Sequence, residues 1–127
     1  MKVLVVDDSV VVRRLLCARL VADGHDVLEA EDGHVGVDVA LRERPDVVVL
    51  DLQMPKMDGF EVCARLRQDP ALRSVGILML TDNRGEDTLI ESLERGVDEF
   101  MSKPFSPRER SARVRLLGSR QSLAQSG

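Results

Sequence analysis

Val47-Val48-Val49-Leu50 is the stretch that most limits what this chain can become. Four apolar residues without polar alternation suit a strand covered on both faces, which implies a parallel sheet between layers of helix. Asp51 follows where such a strand runs out. A carboxylate there needs partners, because an isolated buried charge is costly. The same arrangement recurs along the chain. Val3-Leu4-Val5-Val6 leads into Asp7-Asp8, Ile77-Leu78-Met79-Leu80 into Thr81, and Phe100-Met101-Ser102 into Lys103-Pro104. Each feature alone has an ordinary explanation: a turn, a strand-end hydroxyl, a solvated lysine, a core aromatic. Their joint occurrence gathers Asp, Thr and Lys at the ends of successive apolar runs.

Between these runs the spacing turns helical. Ser9 is placed to cap a helix to about Ala22, with Val12, Leu15, Leu16 and Leu20 at helical intervals and Gly24 ending it. Asp26 to Ala30 reads as a short strand. Residues 34–43 point two ways. Val35, Val37 and Val39 alternate as in a strand, but Gly36, Val37 and Ala40 share a helical face. A parallel strand at 47–50 needs a crossover before it, so a helix is expected, ended near Pro45. Met54-Pro55-Lys56-Met57-Asp58-Gly59 reads as an ordered loop. A third helix over 60–68 should bury Val62, Cys63 and Leu66 and stop at Asp69-Pro70. A strand over 75–80, a helix over 85–95 burying Leu89, Ile90 and Leu93, and a strand over 99–102 follow. The last helix starts at Pro107 and is expected to fade at Gly118-Ser119. These units predict one α/β domain over residues 1–118, a doubly wound sheet of five parallel strands, with 119–127 a flexible tail or the start of a linker. Ligands of such sheets bind beyond the carboxyl ends of the strands, where Asp7, Asp8, Asp51, Thr81 and Lys103 all fall.

Composition narrows the function classes. A chain of 127 residues with 43% apolar side chains has room for a real core. With three Phe and no Trp or Tyr, that core has to be aliphatic. A net charge of −4 argues against nonspecific nucleic-acid binding. No apolar run reaches membrane-spanning length, and Met1-Lys2-Val3 has no signal-peptide layout, so a cytoplasmic protein is expected. Cys17 and Cys63 lack metal-ligand spacing and are expected to be reduced, half-buried core residues. His25 and His34 read as surface residues.

Asp7-Asp8, Asp51 with Leu52-Gln53-Met54-Pro55-Lys56-Met57-Asp58-Gly59, Thr81, and Lys103-Pro104-Phe105 stand in this order, each after an apolar run. Together they resemble the receiver domain of bacterial response regulators. The resemblance covers about residues 1 to 118 and implies a CheY-like, flavodoxin-like strand order 2-1-3-4-5. It implies that Asp51 accepts a phosphoryl group from a phosphohistidine on a sensor histidine kinase or phosphotransfer protein, giving an acyl phosphate. Converging carboxylates repel unless a cation sits among them, and Mg²⁺ is the hard ion implied. By resemblance, Asp8 and Asp51 bind it directly with the Gln53 main-chain carbonyl, and Asp7 acts mainly through water. Lys103 supplies further positive charge to the phosphoryl oxygens. Thr81 donates its hydroxyl to one of them, and Phe100 follows inward as the switch aromatic, where the family often has Tyr. The expected molecule is a phosphorylation switch rather than a conventional enzyme.

Some features depart from that pattern. Asp82 stands where a small residue is usual, and a like charge there is expected to weaken or shorten phosphorylation. Arg110 stands where the last helix usually carries an apolar residue; its stem can snorkel, and weaker packing is expected. No output region follows, so the chain is expected to be a stand-alone receiver or the front of a longer regulator. Val12, Leu15 and Arg19 share a stripe on the first helix for a phosphodonor to dock on. A symmetric dimer is the other expected contact, with an acidic fourth helix (Glu86, Asp87, Glu91, Glu94) against a basic fifth (Arg108, Arg110, Arg113, Arg115, Arg120) and Leu89 between them. Asp98, Glu99, Glu109, Arg113 and Arg120 match positions that pair in the family's DNA-binding branch. Rival readings are weaker. An FMN-binding flavodoxin-like module lacks a Ser/Thr-rich phosphate loop and flanking Trp or Tyr. An aspartate-nucleophile phosphatase needs Asp-x-Asp where the chain has Asp7-Asp8-Ser9. A degenerate receiver used only as an interaction module has the complete acid set against it and Asp82 in its favour.

Overall fold

The structure is a computed structural model and describes residues 1–81, 90–91, 93–102 and 107–126. Five parallel strands, β1 (Lys2–Val6), β2 (Asp26–Ala30), β3 (Val47–Asp51), β4 (Gly76–Thr81) and β5 (Glu99–Ser102), form one sheet in the order β2-β1-β3-β4-β5. The helices are α1 (Val10–Ala22), α2 (Gly33–Glu43), α3 (Gly59–Gln68), α4 (described at 90–91 and 93–94) and α5 (Pro107–Ser126). This is the doubly wound α/β architecture that the sequence pattern predicts, in the strand order that the resemblance implies.

Strand alternation divides the core into two layers. Leu4, Val6, Val48, Leu50, Ile77 and Met79 face one way, against Val37 and Ala40 of α2 and Val62, Cys63 and Leu66 of α3. Val3, Val5, Val47, Val49, Leu78 and Leu80 face the other, against Leu16 and Leu20 of α1 and Val114 and Leu117 of α5. Every residue of β3 and β4 is buried, as an uninterrupted apolar run requires. Each such Val or Leu contributes roughly 1.5–3 kcal/mol by leaving water.

Side-chain caps start the helices, Ser9 as the sequence predicts. Ser9, Asp32 and Asp58 accept hydrogen bonds from the amides of Val12, Val35 and Glu61. The glycines that made α2 read ambiguously have a packing role. A Cβ on Gly36 would lie 2.8 Å from a Val6 methyl, so the glycine lets the helix come down onto β1.

Some expectations are corrected. Ile90 and Leu93 are not core: they are 45% and 63% exposed, and Leu89 lies outside the described residues. Periodicity puts Ile90 and Leu93 on one stripe, but the buried apolar residue of this segment among the described residues is Val97, beyond the helix, in one core layer with Phe60 of α3. Arg95 there spreads over the Phe60 ring at 5.5 Å, and its carbonyl accepts from Cys63 Sγ at 3.3 Å. The last helix does not fade at Gly118 but runs to Ser126. Gly118 is a contact rather than a stop, since the Met1 thioether fills the space a Cβ would need. Cys17 and Cys63 are buried rather than half-buried, and burial pushes the Cys17 thiol up to about 12. Among the described residues no helix is long and apolar enough to cross a membrane.

One clamp was not visible in the sequence. Arg67 at the end of α3 donates to the carbonyls of Val75 at 2.6 Å, Arg73 at 3.0 Å and Gly96 at 2.9 Å, and to Asp98 Oδ2 at 2.9 Å. Asp98 Oδ2 also accepts from the Ile77 amide at 2.8 Å, so one guanidinium ties α3 to the entries of β4 and β5.

Candidate functional site

The carboxyl ends of β1 and β3 bring Asp7, Asp8 and Asp51 together. One carboxylate oxygen from each lies within 4.8 Å of the others. Asp7 and Asp51 are 2% and 3% exposed, whereas Asp8 is exposed. The buried pair is held locally. Asp7 Oδ1 accepts from the Ser9 amide at 2.8 Å, and Asp51 Oδ1 from the Gln53 amide at 3.2 Å. A sheet of period two sets their direction. Asp51 continues the row of Val47 and Val49, and Asp7 that of Val3 and Val5, so both acids belong to the α1/α5 side.

The loop after β3 is fixed by its own side chains. Met54 and Met57 are buried, Pro55 and Lys56 exposed. Lys56 takes φ 72, a left-handed conformation uncommon outside glycine. The loop is closed by the amides of Leu52 on Leu80 O at 2.8 Å and Gly59 on Leu52 O at 2.9 Å. Gln53 is exposed in this loop, and it is its amide that bonds to Asp51.

Thr81 is fully buried at the end of β4, one residue beyond the Leu80 that pairs with Asp51. It continues the row of Ile77 and Met79, on the α2/α3 side. Phe100 pairs with Met79 across β4 and β5 and packs on that same layer, half-buried. The two expected switch residues therefore share a face. Lys103 and Asp82 lie outside the described residues.

Two arginines complete the surroundings, and neither role was read from the sequence. Arg13 is buried on α1; its Nη1 donates to the Asp7 main-chain oxygen at 2.7 Å and its Nε to Glu29 Oε1 at 3.0 Å. It shares a stripe with Cys17 and Leu20, and a cation on an apolar stripe was the signal that could have found it. Arg110 is only 7% exposed, so its head does not snorkel into water as expected. Burial pushes its guanidinium down to about 10, while Asp7 and Asp51 pull it back up.

Chemically, the cluster is an all-oxygen, anionic donor set open on the Asp8 side. That suits a hard divalent cation that keeps part of its water. Soft-metal chemistry would need thiolate or imidazole ligands, and Cys17 and Cys63 are buried elsewhere in the core.

Comparisons with known proteins agree with this geometry. A family model described as response regulator receiver domain matches residues 3–115. The alkaline phosphatase synthesis transcriptional regulatory protein PhoP of Bacillus subtilis (strain 168) is 45% identical over 123 residues, covering 97% of this chain and 50% of that protein. A probable transcriptional regulator, ycf27 of Porphyridium aerugineum, is 46% identical over 114 residues, covering 90% of this chain and 46% of that one. This chain thus spans about half the length of the curated relatives it matches. Among solved structures, the chemotaxis protein CheY4 of Vibrio cholerae superposes with a TM-score of 0.83 at 34% identity, covering 89% of this chain and 97% of that one.

Proposed function

The chain belongs to the response regulator receiver domain family, whose members are phosphorylation switches rather than conventional enzymes, and on that footing we propose that Asp51 is the phosphoryl acceptor. The observation that carries this is the convergence of Asp7, Asp8 and Asp51 within 4.8 Å at the end of the central strand. An Asp51 oxygen attacks the phosphorus of a phosphohistidine. The O–P bond forms, the P–N bond breaks, and the imidazole leaves with the electron pair. Mg²⁺, when bound, supplies positive charge to the equatorial phosphoryl oxygens. Asp8, Asp51 and the Gln53 carbonyl would hold it, with Asp7 acting through water. Lys103, from its place in the sequence after β5, adds a second positive charge. The Thr81 hydroxyl donates to a phosphoryl oxygen, and Phe100 follows inward on the face the two residues share. The test is incubation with acetyl phosphate and Mg²⁺ followed by intact mass. A single phosphoryl gain that disappears on chelation is expected, and no gain would overturn the reading.

The phosphodonor is proposed to be a cytoplasmic histidine kinase or phosphotransfer protein that docks on α1. Leu15 is 57% exposed and Val11 68%, an apolar surface with Arg14 and Arg19 beside it. Leu15→Ala should slow transfer from a cognate donor protein severalfold yet leave acetyl phosphate labelling unchanged. Equal loss with both donors would mean a folding defect and remove the docking role.

Residues 1–118 are proposed as the receiver unit and 119–127 as the start of a connection to an output region, supported by the greater length of the transcriptional regulators it resembles. A phosphorylation-promoted dimer through α4, β5 and α5 fits exposed Ile90 and Leu93, which would supply its apolar centre. Within one chain, Arg113 already pairs with Glu99 at 3.0 Å and Asp98 with Arg67, so these groups would have to exchange partners. Exposed pairs contribute about 0–1 kcal/mol each. Sedimentation with beryllofluoride and Mg²⁺ should reveal a dimer weakened by Leu93→Ala; a monomer under every condition would remove the proposal.

A further inference from the structure

We propose that Arg110 is a built-in cation of the acidic site, competing with the divalent metal for the field of Asp7 and Asp51 and so weakening metal binding. The inference rests on the phosphoacceptor reading and extends it to a residue of α5.

The placement follows from packing. Arg110, Val114 and Leu117 lie at i, i+4 and i+7 on one stripe of α5, and Val114 and Leu117 are in the core layer of β1, β3 and β4. Leu117 marks the low end of that stripe: a Cβ on Gly76 would touch it at 3.4 Å, and Gly76 pairs with Val47. From Leu117 back to Arg110 the helix climbs about 10 Å. From Val47 to Asp51 the strand climbs about 13 Å. Arg110 therefore lies in the first turn of α5, the helix that follows the carboxyl end of β5, on the side of the sheet to which Asp51 and Asp7 belong. Its side chain is 7% exposed, so its charge acts in a poorly solvated place where nearby carboxylates count for most. The next residue, Ser111, is 2% exposed and donates to Asp23 at the end of α1, which keeps this turn of α5 docked on α1. The electrostatic coupling of Arg110 to Asp7 and Asp51 agrees with the placement.

A fixed positive charge beside the ligands repels an incoming dication and partly neutralises the carboxylates that attract it. Removing that charge should tighten Mg²⁺ binding, the opposite of what loss of a merely structural residue does. The chain has no Trp to report binding, so the measurement is titration calorimetry or amide chemical shifts with MgCl₂ on the whole chain. Arg110→Met, and Arg110→Gln in case the apolar variant does not fold, should bind Mg²⁺ roughly tenfold more tightly. Arg110→Lys, which keeps the charge, should stay close to wild type. Unchanged or weaker affinity in folded Arg110→Met or Arg110→Gln overturns the inference, as does equal tightening in Arg110→Lys. If wild type itself binds no Mg²⁺ and Asp51→Asn changes nothing, the phosphoacceptor reading fails instead and takes the inference with it.

Discussion

Asp51→Asn should gain no phosphoryl mass from acetyl phosphate and Mg²⁺, and should melt no earlier than wild type. The first half follows from chemistry: a neutral amide is no nucleophile toward phosphorus, and the nearby acids are differently placed, Asp8 exposed and Asp7 tied to the Ser9 amide. The second half follows from electrostatics. Carboxylates gathered within 4.8 Å repel one another when no metal is bound. At ~4 Å and an effective dielectric of ~20, a like pair costs up to about 4 kcal/mol, and solvent at Asp8 cuts that well down. The Asn oxygen can still accept from the Gln53 amide as Asp51 Oδ1 does, and the lost attraction to Arg110 offsets only part of the relief. A gain of roughly 1 kcal/mol without Mg²⁺ is expected, shrinking as Mg²⁺ saturates wild type, because only the form that binds the ion is stabilised by it. Persistent labelling of the variant would move the acceptor to another residue.

Gly59→Ala should be among the most damaging small changes in the chain. Within a helix Ala normally outranks Gly by up to about 1 kcal/mol. Here a Cβ would sit 2.6 Å from Met79 Sδ, 2.8 Å from Asp51 O and 2.9 Å from Leu52 Cα. The Met79 side chain can move aside, but the other two contacts are backbone: the acceptor's own carbonyl and the Cα of the residue after it. Overpacking of this kind costs about 3 kcal/mol, or roughly 10 °C in melting temperature for a domain of this size. Phosphorylation should slow as well, since α3 would be pushed off the strand end that aims Asp51. A melting temperature within a degree or two of wild type would show that the loop yields freely, and that Gly59 is not what seats α3 against β3.

The sheet and the acid cluster were legible because they depend on local pattern. Apolar runs such as 47–50, too short for helices and rich in Val, suit buried strands, and acids at their ends converge once the strands are parallel. Helix α2 was recovered from connectivity against its own alternation, and the contact of Gly36 with Val6 explains why its glycines misled. What escaped depends on direction or on backbone partners. Ile90 and Leu93 share a stripe, but spacing does not say which way a stripe turns. Arg13 and Arg67 bind mainly carbonyl oxygens, which no residue type marks. Gly118 reads locally as a stop, and only the position of Met1 shows it to be a contact. Arg110 was noticed as an oddity, yet its side of the sheet became clear only from Val114 and Leu117 below it.

The two-residue period of the strands has a consequence for how a signal would cross the domain. It makes the sheet a partition, with Asp7, Asp51 and the surface of α1 on one side and Thr81 and Phe100 on the other. In the proposed switch, a group attached from one room is sensed in the next, with the buried ends of β3 and β4 as the doorway. In that switch, a change at Phe100 would reach the acids only through the ends of β3 and β4. The surface that reads the phosphoryl group and the pocket that receives it would then be separate faces of one sheet. Arg110 is the unusual case in this chain, a change made on the chemical side of the wall.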